Sequence, residues 1–123
     1  MDETDALDCL AALAQPTRLQ AFRLLVTREP EGIAAGEVAR LVEVPQNTMS
    51  THLAALAACG LVRGARQSRS IVYHAELERF RALLVYLMQD CCGGRPEVCA
   101  ELFTDIKFKP CSPADKRKER RRA

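Results

Sequence analysis

The residues best equipped for chemistry are six cysteines, and they are unevenly spread. Cys9 and Cys59 stand alone in apolar stretches, whereas Cys91, Cys92, Cys99 and Cys111 crowd the C-terminal third. In a reducing compartment such a count points to metal binding or thiol chemistry rather than to disulfides. Adjacent residues of an ideal helix point about 100° apart, so Cys91 and Cys92 cannot converge on one ion while both stay helical. Gly93-Gly94 ends the helix and lets the chain bend, which can carry Cys99 back toward the pair. Three thiolates suit a soft ion with trigonal-pyramidal preference, As(III) or Sb(III). Adding Cys111 gives four thiols and admits tetrahedral zinc or cadmium, although the usual Cys-x₂₋₄-Cys spacing is missing. A vicinal pair also suits thiol redox sensing. Cys9 and Cys59 read as small apolar core residues.

A second group of side chains could contact nucleic acid. Gln46, Asn47, Thr48, Ser50, Thr51 and His52 cluster on either side of the apolar Met49 and before Leu53, and Arg63, Arg66 and Arg69 follow at three-residue spacing. Gln and Asn suit bidentate contacts to adenine, Thr can touch the thymine methyl, and arginines serve phosphates or the minor groove. No Lys or Arg lies between Arg40 and Arg63, so attraction to a DNA backbone must come from elsewhere, with the three arginines the obvious source.

These groups need elements to hold them. Leu7, Leu10, Leu13 and Ala14 have helical spacing, and Pro16 ends that helix and opens the next. The second helix carries Leu19, Phe22, Leu25 and Val26 on one face and ends near Arg28, before the turn at 29–32. Gly36–Val42 is a short helix with Val38, Leu41 and Val42 inward. Pro45 breaks the pattern, and a helix from about Gln46 to Ala58 turns Met49, Leu53, Leu56 and Ala57 inward, with Gly60 as its C-terminal cap. Leu61–Arg63 and Ile71–Tyr73 then read as a hairpin.

A last helix covers about Glu76 to Asp90. Its face of Leu77, Phe80, Leu84 and Leu87 can cover the core, while Ala82, Val85, Tyr86 and Met88 call for a partner, which predicts a homodimer. The expected architecture is mainly α with a small β-hairpin (α+β), in the element order of a winged helix-turn-helix, a DNA-reading module.

Leu13-Ala14-Gln15-Pro16-Thr17-Arg18-Leu19, the stretch Val44–Leu53, and Ala58-Cys59-Gly60-Leu61-Val62 followed by Ser70–His74 resemble, in order and spacing, the ArsR/SmtB family of small dimeric metal-responsive repressors. The resemblance runs from Leu10 to about Cys99. It implies dimerisation through the first and last helices, double-stranded operator DNA as partner, and release of that DNA on binding a toxic metal or metalloid. It also implies that Gln46, Asn47, Thr48, Ser50, Thr51 and His52 lie on the recognition helix and Arg63, Arg66 and Arg69 on the wing. Two of the family's sensing modes lack their ligands here: no thiol lies in Ala34–Ala39, and no His in Glu78–Asp90. The vicinal pair with a third cysteine resembles an arsenite-responsive subgroup, which implies Cys91, Cys92 and Cys99 as ligands of As(III) or Sb(III), with no organic cofactor. Zn-, Cd- or Pb-responsive and thiol-redox repressors of the same fold are the alternatives, and a thiol metal carrier is a further one.

Composition bounds the rest. A chain of 123 residues, 48% apolar and 28% charged, allows one compact domain. The expected division is a domain at 1–100 and an extension at 101–123. Net charge is +2, but Ala114–Ala123 alone carries six Lys/Arg against two Asp/Glu, a cationic tail on a nearly neutral body. The tail reads as a solvated terminus or as a sequence-independent aid to polyanion binding. No uncharged apolar run, Ala82–Met88 included, approaches the roughly 20 residues that span a bilayer, and the N-terminus is acidic. The expectation is a cytoplasmic protein without enzymatic activity: the two histidines fall on the recognition helix and the wing, and no phosphate-loop motif occurs.

Overall fold

The computed structural model describes residues 1–91. The chain divides into two units, Met1–Gln89 and Asp90–Ala123, and the first is the body described below. The extension proposed at 101–123, with its basic tail, lies outside the described residues.

Five helices and three strands follow in order: α1 (Glu3–Leu13), α2 (Pro16–Thr27), β1 (Ile33–Ala34), α3 (Ala35–Val42), α4 (Gln46–Ala58), β2 (Val62–Gln67), β3 (Ser70–Ala75) and α5 (Leu77–Cys91). This is the expected winged helix-turn-helix, mainly α with a small antiparallel sheet. Among the described residues no helix is long and apolar enough to cross a membrane.

Local chemistry accounts for the boundaries. Asp2 caps α1 reciprocally with Asp5, each carboxylate accepting from the other's backbone N–H, so the helix starts at Glu3, four residues before the first of its spaced leucines. Gln15 caps α2 through Arg18 N–H, and Pro16 fills the first position, where a missing N–H costs nothing. In the turn between α3 and α4, Glu43 takes a left-handed conformation (φ 64°), and Pro45 opens α4. Gly60 ends α4 as expected: at φ +86° it lets Leu61 N–H reach back to Leu56 C=O at 3.0 Å.

The sheet is larger than the sequence reading, which had only the hairpin. Strands β2 and β3 pair from Val62↔Ala75 to Gln67↔Ser70, and β1 adds a third strand through Ile33↔Tyr73 and Ala34↔Val72, giving the order β1-β3-β2. Two residues carry too little periodicity to reveal a strand. Glu29 fixes the base of the hairpin, its Oε1 accepting from Ala75 N–H (2.9 Å) and lying 3.1 Å from His74 Nδ1.

The core corrects several inward assignments. In α1 the buried face is the small one, Ala6, Cys9 and Ala12; Leu7, Leu10 and Ala14 are exposed and Leu13 is half-buried. Leu19 of α2, Leu41 of α3 and Ala57 of α4 are also exposed. In α5 the interior position is Leu83, joined by half-buried Phe80, Tyr86 and Leu87, while Leu77 and Leu84 turn outward. Phe80 meets Phe22 of α2 edge-to-face with ring centres 5.1 Å apart, a contact worth about 0.5–1.5 kcal/mol beyond burial. Helix α1 thus seats small side chains against the core and keeps Leu7 and Leu10 outside, while α5 seats Leu83 with Phe80, Tyr86 and Leu87 and keeps Leu77 and Leu84 outside.

Candidate nucleic-acid interface

Helix α4 is held from behind by Met49, Leu53 and Leu56, all fully buried. Its other side presents Gln46, Asn47, Thr48, Ser50 and Thr51, every one exposed, with His52 half-buried at the flank. The six residues singled out in the sequence therefore lie together on the second helix of the helix-turn-helix. The hydroxyls of Ser50 and Thr51 donate back to Gln46 C=O (3.0 Å) and Asn47 C=O (3.3 Å). Their oxygen lone pairs are left as outward acceptors, able to meet the amino groups of adenine or cytosine in a major groove. Asn47 Oδ1 accepts from Thr48 N–H at 2.9 Å, so the Asn47 amide group remains the outward donor. Gln46 lies over Gly36 of α3, with 3.6 Å between its amide and the point where a Gly36 Cβ would stand.

The three arginines sit on or beside the hairpin, and they are not equivalent. Arg63 Nε lies 2.5 Å from Glu76 Oε1 at the foot of α5, whereas Arg66 and Arg69, at the tip, make no ion pair among the described residues. The tip cations are free to meet phosphate.

Two side chains that the sequence reading did not single out also bear on the interface. Arg18 of α2 reaches His52 of α4, Nε to Nδ1, at 3.2 Å. Arg79 of α5 donates from Nε to Cys59 C=O at 3.1 Å and approaches Asp5 of α1 at 3.6 Å. Contacts across 34 and 20 residues leave no local signal in a sequence.

Cys9 and Cys59 are buried, and Cys9 Sγ donates to Cys59 C=O at 3.4 Å. Burial, reinforced by the neighbouring Cys59 and opposed by Arg79, pushes the Cys9 thiol up. Of the proposed ion ligands, Cys91 is the last residue of α5. Cys92 and Cys99, like Cys111, lie outside the described residues. No cluster of three potential metal ligands occurs among the described residues.

A buried three-helix support, an exposed polar recognition helix and a cationic hairpin define a winged helix-turn-helix DNA-binding regulator. Comparison with known proteins agrees. A helix-turn-helix domain model matches residues 13–65. The transcriptional activator HlyU of Vibrio cholerae is 29% identical over 87 residues, 71% of this chain and 78% of HlyU. The crystal structure of NolR from Sinorhizobium fredii superposes with a TM-score of 0.57 at 31% identity, covering 70% of this chain and 83% of that one. A homodimeric winged helix-turn-helix DNA-binding domain from Mycobacterium bovis, described as a possible ArsR-family regulator, has a TM-score of 0.60 at 21% identity, covering 88% and 89%. The chain belongs to the ArsR family of transcription regulators.

Proposed function

We propose that the protein is a homodimeric repressor of an arsenic-resistance operon, released from its operator when As(III) or Sb(III) is held by Cys91, Cys92 and Cys99. The observation that carries the DNA-reading part is α4, whose large apolar residues Met49, Leu53 and Leu56 are all committed to the core while Ser50, Thr51 and their polar neighbours face outward. The sensing part is supported by donor chemistry: a vicinal pair begins at the last residue of α5, a third thiol follows, and soft sulfur favours soft ions. Dimerisation is supported by Leu7 and Leu10 of α1 and Leu84 and Val85 of α5, all exposed, on helices linked by the Asp5–Arg79 contact.

A dimer reads two half-sites about 34 Å apart, so drawing three thiols together at the end of the dimer helix would change the spacing of the recognition helices. Coupling of about 1–3 kcal/mol would lower operator affinity some 5- to 150-fold. A second reading, activation rather than repression, is favoured by the name of one relative, the activator HlyU.

The deciding experiment is a gel shift with the promoter DNA upstream of the protein's own gene, with and without arsenite. The wild-type chain should bind and then let go on adding arsenite. The Cys91→Ser/Cys92→Ser/Cys99→Ser variant should bind equally well and stay bound. Release of that variant by arsenite would end the sensing assignment, and a promoter-reporter strain fixes the sign of regulation.

A further inference from the structure

The contact between Arg18 and His52 constrains more than the packing of α2 on α4. A guanidinium has only donors and does not lose its proton, so the nitrogen that faces Arg18 Nε at 3.2 Å must supply a lone pair. That nitrogen is His52 Nδ1, which leaves the imidazole neutral with its single proton on Nε2. The opposite edge of the ring is therefore a donor. Nε2 has no hydrogen-bond partner among the described residues, and none of their buried side-chain nitrogens lacks one, so Nε2 is open to solvent. Arg18 is itself anchored, its backbone N–H bonded to Gln15 Oε1 at 2.9 Å in the first turn of α2.

His52 follows directly on the exposed Ser50 and Thr51, on a helix with no Lys or Arg anywhere from Gln46 to Ala58. A recognition helix still needs donors for the phosphates beside the groove it enters, and these fix its register. We propose that Arg18 is a positioning residue for DNA reading: it holds His52 in the Nε2–H form, and that N–H donates to a backbone phosphate oxygen at the edge of the major groove. The positive charge behind Nδ1 polarises the ring and strengthens the donor on its far side. The helix that lacks a cation of its own thus takes its charge from α2 through an imidazole. This inference rests on the reading that α4 enters DNA.

Two measurements on the full-length chain test it. Long-range ¹H–¹⁵N spectra of the free protein should find His52 Nδ1 unprotonated and Nε2 protonated; the reverse overturns the proposal without any DNA present. Binding is then followed by fluorescence anisotropy on a duplex that the wild-type chain selects from random sequence. If no duplex is enriched, it is the DNA-reading assignment that fails, whatever the spectra give.

Arg18→Met and His52→Phe should each weaken binding roughly three- to tenfold, the range for loss of one hydrogen bond. Arg18→Met should cost nothing further in the His52→Phe background. Because the donor is a neutral ring, the salt dependence of Arg18→Met should match wild type, and Arg18→Lys, which can still donate to Nδ1, should restore most of the affinity. Additive losses, or a salt slope lower by about one, would mean that Arg18 touches phosphate directly and would overturn the positioning role. A changed sequence preference in His52→Phe would overturn the phosphate assignment in favour of a base contact. Should Arg18→Met fail to fold, the spectra of the wild-type chain and the binding of Arg18→Lys and His52→Phe still decide: an Nδ1 proton, or wild-type affinity in His52→Phe, refutes the proposal.

Discussion

Arg79 Nε donates to the main-chain carbonyl of Cys59 at 3.1 Å, so the helix that runs toward the cysteine cluster grips the last turn of the recognition helix. The same guanidinium lies 3.6 Å from Asp5, which makes Arg79 a junction of α1, α4 and α5. Replacing it by Met removes a charged donor from a helix C-terminus. A hydrogen bond to a charged group is worth about 1.5–3 kcal/mol, and because the Arg79 side chain is 32% exposed the lower end applies. Urea unfolding should show a lower midpoint with an unchanged slope.

Gly60 sits against that arginine in a conformation L-residues avoid. At φ +86°, an added Cβ would stand 3.1 Å from Arg79 Nε. Gly60→Ala should destabilise by about 1–2 kcal/mol. Gly36→Ala is the control: its Cβ would meet only Gln46 at an ordinary 3.6 Å, and its thermal midpoint should not fall.

The wing arginines should separate by salt dependence. Arg66→Ala and Arg69→Ala should each weaken DNA binding about equally on all sequences and lower the salt slope by about 1. Arg63 is already paired with Glu76, so Arg63→Ala should change the slope less. Anisotropy titrations at several salt concentrations distinguish them.

The outward leucines carry the dimer prediction. Leu84 is 47% exposed and Leu7 57%. A Leu7→Glu/Leu84→Glu variant should keep its helical circular dichroism and sediment as a monomer, because neither side chain supports the core. A variant that sediments as a dimer would place the interface elsewhere.

Cys9 sets a pH limit. An unfolded thiol releases its proton at about pH 8.5, while burial first, and Cys59 second, hold the folded Cys9 protonated beyond that point. Above pH 8.5 the unfolded state therefore binds fewer protons than the native one, and stability falls as pH rises. The contribution is fully present at neutral pH and is lost as pH climbs through the raised value. Cys9→Ala, less stable at pH 7 for lost packing, should show a flatter decline in urea midpoint between pH 8 and 10.

Much of this organisation is legible in the chain itself. Pro16, Pro45 and Gly60 each act through a backbone restriction that needs no tertiary context, and so the helix-turn-helix and its end are visible beforehand. The inward turn of Met49, Leu53 and Leu56 is legible because they form the one stripe of large apolar residues on that helix. β1 escaped because two residues have no period, and Arg18, Arg79 and Glu29 escaped because their partners lie 20 to 46 residues away.

Residue types and spacing alone determined the order of the five helices and the hairpin, the polar face of α4 and the crowding of thiols from Cys91 onward. The tertiary structure decided which apolar face of each terminal helix is core. Leu7 and Ala6, or Leu84 and Leu83, are neighbours in sequence with equal claims by hydrophobicity. What separates them is the side of each helix that meets the core, Ala6, Cys9 and Ala12 in α1 and Leu83 in α5. Hydrophobic patterning reports that a surface must leave water; it carries no information on whether the chain's own core or another surface receives it.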